Sequence, residues 1–137
     1  MDKTDKLDII FALQEKFDNE IVEKRNLQDI PLDLWLQKET LAMISELAEL
    51  LDEVNFKWWK NPKELNIDNI KNELIDILHF FASMCLKAGM NADEVLERYI
   101  AKNKENFLRQ YGTSEKKGYE LENMLKPKEE GGKNGKE

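Results

Sequence analysis

Residues 67–89 read IDNIKNELIDILHFFASMCLKAG, and this stretch decides the fold class. It is apolar at helical spacing and contains no proline, and no part of it alternates with the period of two of a half-buried strand. The spacing predicts a helix capped by Asn66 or Asp68 and stopped at Gly89. At about 100° per residue, Glu73 and Asp76 fall on the stripe that carries Ile77, Phe80 and Met84. That stripe should pack inward, so the two carboxylates stand on the wrong face and need a physical reason.

The flanking sequence repeats both features. Upstream, Leu32 to about Phe56 reads as a helix with Leu36, Met43, Leu47, Leu50, Leu51 and Val54 on its apolar side. It carries Glu46-Leu-Ala-Glu49, a second carboxylate pair at i and i+3. Before it, about Lys3 to Arg25 forms a helix with Leu7, Ile10, Phe11, Phe17, Ile21 and Val22 at helical spacing. NLQDIP ends that pattern, and Pro31 suits the first turn of the second helix. KWWKNPKELN at 57–66 reads as a loop. Asn91 and Glu94 form a capping-box pattern for a last helix that ends near Gln110. From Thr113 the pattern fades, and KPKEEGGKNGKE at 126–137 has the composition of a disordered tail.

The fold expected is therefore all-α, a four-helix bundle-type core over residues 1–112 with a flexible tail at 113–137. Helices this long, with apolar residues on more than one side, call for a second copy of the chain. A homodimer is expected. The 137 residues suit one domain.

A net charge of -7 argues against a nucleic-acid partner, which would require a basic face. It is compatible with a nucleotide, because divalent cations reverse the local sign of an acidic site. No stretch approaches the length of a membrane span, and MDKTDKLDII lacks the apolar run of a signal peptide, so the cytoplasm is the expected compartment. The single cysteine, Cys85, lies in an apolar run and is expected to be a buried structural thiol.

Four carboxylates facing one another would repel and lose hydration unless a cation joined them. Glu46, Glu49, Glu73 and Asp76 are thus candidate metal ligands, and an all-oxygen set suits Mg²⁺, or Mn²⁺ in its place. The plainer reading is solvated helix surface. A di-iron bundle needs Glu-x-x-His on two helices, and the one near match here is Asp76-Ile-Leu-His79. His79, the sole histidine, reads as a hydrogen-bonded structural residue.

Gln14 and Asp18 interrupt the apolar stripe of the first helix. A buried amide offers the donor and acceptor that a pyrimidine edge needs, and an internal bond to another helix explains it equally. Lys102, Asn106 and Arg109 share a face of the last helix, flanked by Tyr99 and Asn103, as a phosphate clamp or as an ordinary basic face. Trp58 and Trp59 are set to stack on a base or to plug the end of a bundle.

Together these residues resemble the dimeric all-α dUTPase family, a branch of the MazG-like nucleotide pyrophosphatases. The resemblance runs from about Leu7 to Tyr119. It rests on Glu46-x-x-Glu49 shortly before FKWWK, on ELIDILHF at 73–80, and on YIAKNKENFLRQYG at 99–112. It implies Mg²⁺-assisted hydrolysis of dUTP to dUMP and pyrophosphate. Glu46, Glu49, Glu73 and Asp76 would hold metal, and a glutamate of the first doublet, Glu49 ahead of Glu46, would position the attacking water. Lys57, Lys102 and Arg109 would contact phosphate; Gln14, Asp18, Trp59 and Asn106 would form the nucleoside pocket. The alternatives are another triphosphate, such as dCTP or a non-standard nucleotide, and a catalytically silent helical dimer that binds a protein.

Overall fold

A computed structural model describes residues 4–121. The described residues form four α-helices and no strand: α1 (Lys6–Arg25), α2 (Leu32–Glu53), α3 (Ile67–Lys87) and α4 (Ala92–Gln110). The expected all-α class is observed. Residues 126–137, expected to be a disordered tail, lie outside the described residues, and 113–121 contain no helix.

Four helix boundaries follow from side-chain hydrogen bonding. α1 starts at Lys6 and not at Lys3, because Asp5 makes a reciprocal cap. Its side chain accepts from the Asp8 N–H at 3.0 Å, and Asp8 accepts from the Asp5 N–H at 3.2 Å. α2 stops at Glu53, three residues short of the expected Phe56. Asn55 there turns left-handed, with φ 56°, a conformation that asparagine tolerates better than most residues. Its side chain then clasps Lys63, donating to the carbonyl at 2.8 Å and accepting from the N–H at 3.0 Å. α3 is capped by Asn66, whose side chain accepts from the Asn69 N–H at 3.1 Å. Asn91 likewise accepts from the Glu94 N–H at 2.9 Å at the head of α4.

The chain divides into two compact units, one ending at Val95 and the other beginning at Leu96. In the first unit α3 packs against both α1 and α2. Phe11, Ala82, Cys85 and Ala92 are buried there, with Leu7, Leu86, Met90 and Val95 packed against them. Cys85 is a buried free thiol, and burial raises its pKa, which leaves it protonated and inert. The second unit runs through most of α4 and includes Gly112, the expected domain limit. Inside it, Arg109 donates to Glu105 at 3.1 Å and lies over the Tyr119 ring.

This core is small. Leu47, Leu51 and Val54, expected on the apolar side of α2, are exposed, and so are Ile10 and Phe17 of α1. Among the described residues no helix is long and apolar enough to cross a membrane.

Candidate active site

A cavity of about 580 Å³ opens among α1, α2 and α3, within the usual size of a small-molecule site. Its rim includes Glu46 and Asp76. Its apolar wall includes Phe17, Ile21, Val22, Trp35 and Phe80, and its polar side chains include Gln14, Asp18, Glu39, His79, Ser83 and Lys87. Phe17 thus serves the cavity and not the core, which accounts for a large aromatic ring left 57% exposed.

Glu46 of the cavity lining, Glu49 and Glu73 each present an oxygen, and these atoms lie within 4.8 Å of one another. The i,i+3 spacing on α2 sets the first two side by side, and the packing of α3 on α2 brings in the third. Asp76 stands outside this triplet but close enough for its charge to raise the pKa of Glu46. Glu46 and Glu73 each leave Oε2 buried without a hydrogen-bond partner.

The electrostatic consequence is strain of one sign. Burial, then hydrogen bonding and repulsion from Glu46 and Glu49, push the Glu73 pKa up to about 7. Burial likewise raises Glu46, offset in part by a hydrogen bond from Glu73 and reinforced by the charges of Glu49 and Asp76. The protons belong to the group as a whole. Hard oxygen donors, orphaned and mutually repelling, fit a divalent cation such as Mg²⁺.

Deeper in the cavity the polar groups form one connected network. The Gln14 amide donates to Asp18 Oδ1 at 2.9 Å, and its Oε1 meets His79 Nδ1 at 2.8 Å. His79 therefore has the hydrogen-bonded place read for it. Ser83 Oγ lies 2.7 Å from Asp18 Oδ2 and 2.6 Å from Glu39 Oε1. Lys87 donates to Glu39 and to Ser83, both at 2.8 Å, and stands 4.5 Å from the centroid of the Trp35 ring.

Sequence reasoning missed Trp35, Glu39, Ser83 and Lys87. A signal was available: Glu39 precedes Glu46 by seven residues and Ser83 follows Asp76 by seven, which puts each on the stripe already marked by a carboxylate.

Trp59 and Lys57 do not line this cavity. Trp58 is 88% exposed, and Trp59 packs edge-on against it and against Phe56 without lining the cavity. Lys57 pairs with Asp52 at 3.1 Å in a separate hollow of about 270 Å³. Lys102, Asn106 and Arg109 belong to the second unit, the first two exposed.

A family model described as dUTPase matches residues 6–91, from the start of α1 to the residue before α4. The chain belongs to the dUTPase family. The matched span of this dUTPase-family chain holds the three-helix cavity and the carboxylate doublets. It does not reach the 99–112 block, where the resemblance was also read. Among curated proteins, the chain is 37% identical over 87 residues to the dCTP pyrophosphatase of Enterobacteria phage T4, covering 53% of this chain and 51% of that protein. It is 51% identical over 41 residues to the dCTP pyrophosphatase of Enterobacteria phage LZ5, covering 30% and 24%. A DNA replication protein of phage T4 is 35% identical over 81 residues, covering 49% and 21%. The chain thus spans about half the length of the first of these relatives and less of the other two. No solved structure matches it significantly.

Proposed function

We propose that the protein is a divalent-metal-dependent pyrophosphohydrolase of pyrimidine deoxynucleoside triphosphates. Water adds at the α-phosphorus, the bond from that phosphorus to the bridging oxygen breaks, and the monophosphate and pyrophosphate leave. The observation that carries this reading is the convergence of Glu46, Glu49 and Glu73, of which Glu46 also lines a nucleoside-sized cavity, with two buried carboxylate oxygens left unmatched. The family description supports dUTP as substrate and the names of the relatives support dCTP.

In this scheme Glu46, Glu49, Glu73 and Asp76 hold the metal, Mg²⁺ or Mn²⁺. Bound there, it would neutralise triphosphate charge and lower the pKa of a coordinated water. Glu49 is the most accessible of the converging three and so is placed to orient the attacking water and receive its proton. The cavity takes the nucleoside, with Gln14 and Asp18 held by their mutual bond and by His79 and Ser83. A second copy of the chain covers the exposed apolar faces.

The test is pyrophosphate release from a panel of deoxynucleoside and ribonucleoside triphosphates, with Mg²⁺ and with chelator. Release from dUTP or dCTP that stops in chelator is the expected result. Absence of release from every member with Mg²⁺ present would refute the reading.

A further inference from the structure

Glu39 is a cavity residue that the metal-dependent scheme leaves unused. It sits on α2 two turns before Glu46, roughly 10 Å along the helix axis, and Ser83 stands in the matching relation to Asp76 on α3. The cavity therefore has an acidic, metal-suited rim and a separate polar end made by Asp18, Glu39, Ser83 and Lys87. A nucleoside spans a comparable distance from its 5′ oxygen to the far edge of its base.

The polar end has more acceptors than protons. Lys87 donates to Glu39 Oε1 and to Ser83 Oγ, both at 2.8 Å, and its remaining side faces Asp18 Oδ2 at 3.6 Å. The one hydroxyl proton of Ser83 has two carboxylate oxygens within reach, at 2.6 and 2.7 Å. Both donors are consumed inside the network. Glu39 is only 8% exposed, and its Oε2 is buried with no partner among the described residues. A buried acceptor in this state is destabilising until a donor meets it.

We propose that Glu39 reads the base and selects cytosine over uracil, its carboxylate accepting from the exocyclic N4 amine. Cytosine carries a donor at the position where uracil carries a carbonyl oxygen, and a glutamate is suited to the former. Uracil would set its O4 against a carboxylate. Phe17, Trp35 and Phe80 supply the apolar and aromatic walls for the ring. The assignment rests on the pyrophosphohydrolase reading and narrows it to dCTP, departing from the dUTP preference that the family resemblance implies.

Two measurements on the full chain test it. The first is binding of dCMP and dUMP in chelator; the second is kcat/KM for dCTP and dUTP with Mg²⁺, for the parent and Glu39→Gln. The parent should bind dCMP at least about tenfold tighter than dUMP and favour dCTP by a similar factor, since a site built around a polar partner rejects the analogue that lacks it. Glu39→Gln should shrink both preferences, because an amide can turn its NH₂ towards O4. If that variant does not fold, the mononucleotide comparison on the unaltered chain decides. Tighter or equal binding of dUMP, or a Glu39→Gln effect that scales both triphosphates equally, would overturn the base assignment and leave the pyrophosphohydrolase reading standing. Selective dCMP binding without hydrolysis of either triphosphate would uphold the assignment and defeat that reading.

Discussion

His79 and Gln14, 65 residues apart in sequence, are joined by a hydrogen bond of 2.8 Å between imidazole Nδ1 and the amide Oε1. The amide oxygen can only accept, so Nδ1 carries a proton. The same amide donates to Asp18 at 2.9 Å, which makes Gln14 one link between α3 and Asp18 of α1, beside the direct bond of Ser83 to Asp18. Gln14→Ala should lower stability by about 1–3 kcal/mol, the range for stranding buried polar partners. It should raise KM while leaving Mg²⁺ affinity close to that of the parent. Thermal melts with a Mg²⁺ titration check both halves. An unchanged melting temperature would mean that the link carries no structural weight.

Lys87 faces both Asp18 and Glu39, and all three side chains are largely buried. Removing one partner of such a cluster leaves uncompensated charge, so Lys87→Ala should destabilise the protein by about 3 kcal/mol. Adding Glu39→Gln should recover part of that loss, because one of the stranded charges goes with it. Chemical denaturation of the two variants measures the difference. A double variant less stable than Lys87→Ala would contradict the charge account.

The pKa of Glu73, at about 7, is raised, which fixes a sign for pH dependence in the absence of metal. A carboxyl that holds its proton more tightly when folded stabilises the fold in acid. Its contribution is complete below the ordinary carboxylate range and is lost as pH rises through about 7. Melting temperatures measured in chelator should therefore fall across that window for the parent, and Glu73→Gln should flatten the fall. Bound Mg²⁺ should weaken the trend, since metal replaces the proton. An identical pH slope in parent and variant would rule out Glu73 as its source.

Leu34, Leu41, Ile44 and Leu51 are all exposed on α2 and repeat at intervals that place them on one stripe. A stripe of this kind on a helix surface is the pattern by which helices pair. Sedimentation should show a dimer, and Leu41→Glu with Ile44→Glu should shift it towards monomer. A parent that sediments as a monomer at micromolar concentration would remove the self-association argument.

The sequence carried the helices well, because their caps are local: Asn66 and Asn91 are visible as short side chains before an apolar period. It misjudged the end of α2, since the left-handed Asn55 is held by Lys63 from across a loop, a contact no periodicity encodes. The doublets were legible because a carboxylate on an apolar stripe is an anomaly. Glu39 was legible only through its seven-residue spacing from Glu46, and Lys87 was not, for it passes as an ordinary charged residue of an exposed face until the packing of α2 on α3 joins the two. Trp59 drew attention as an oddly placed aromatic, whereas Trp35, inside a regular helix, drew none and yet lines the cavity.

The most direct measurement is Mg²⁺ binding by the parent, Glu49→Gln, Asp76→Asn and Glu53→Gln, read as the shift in melting temperature on adding Mg²⁺ and nucleotide, with turnover alongside. Glu53 is the control, since it pairs with Lys63 at 3.8 Å and is not one of the converging three. The two ligand variants should match or exceed the parent's stability in chelator, because repulsion is relieved. They should also lose most of the Mg²⁺-dependent shift and at least about a hundredfold in turnover. Glu53→Gln should keep most of both. Near-normal turnover in Glu49→Gln and Asp76→Asn, or a loss of several degrees in chelator for both, would show that the carboxylates are structural and that no metal site exists there.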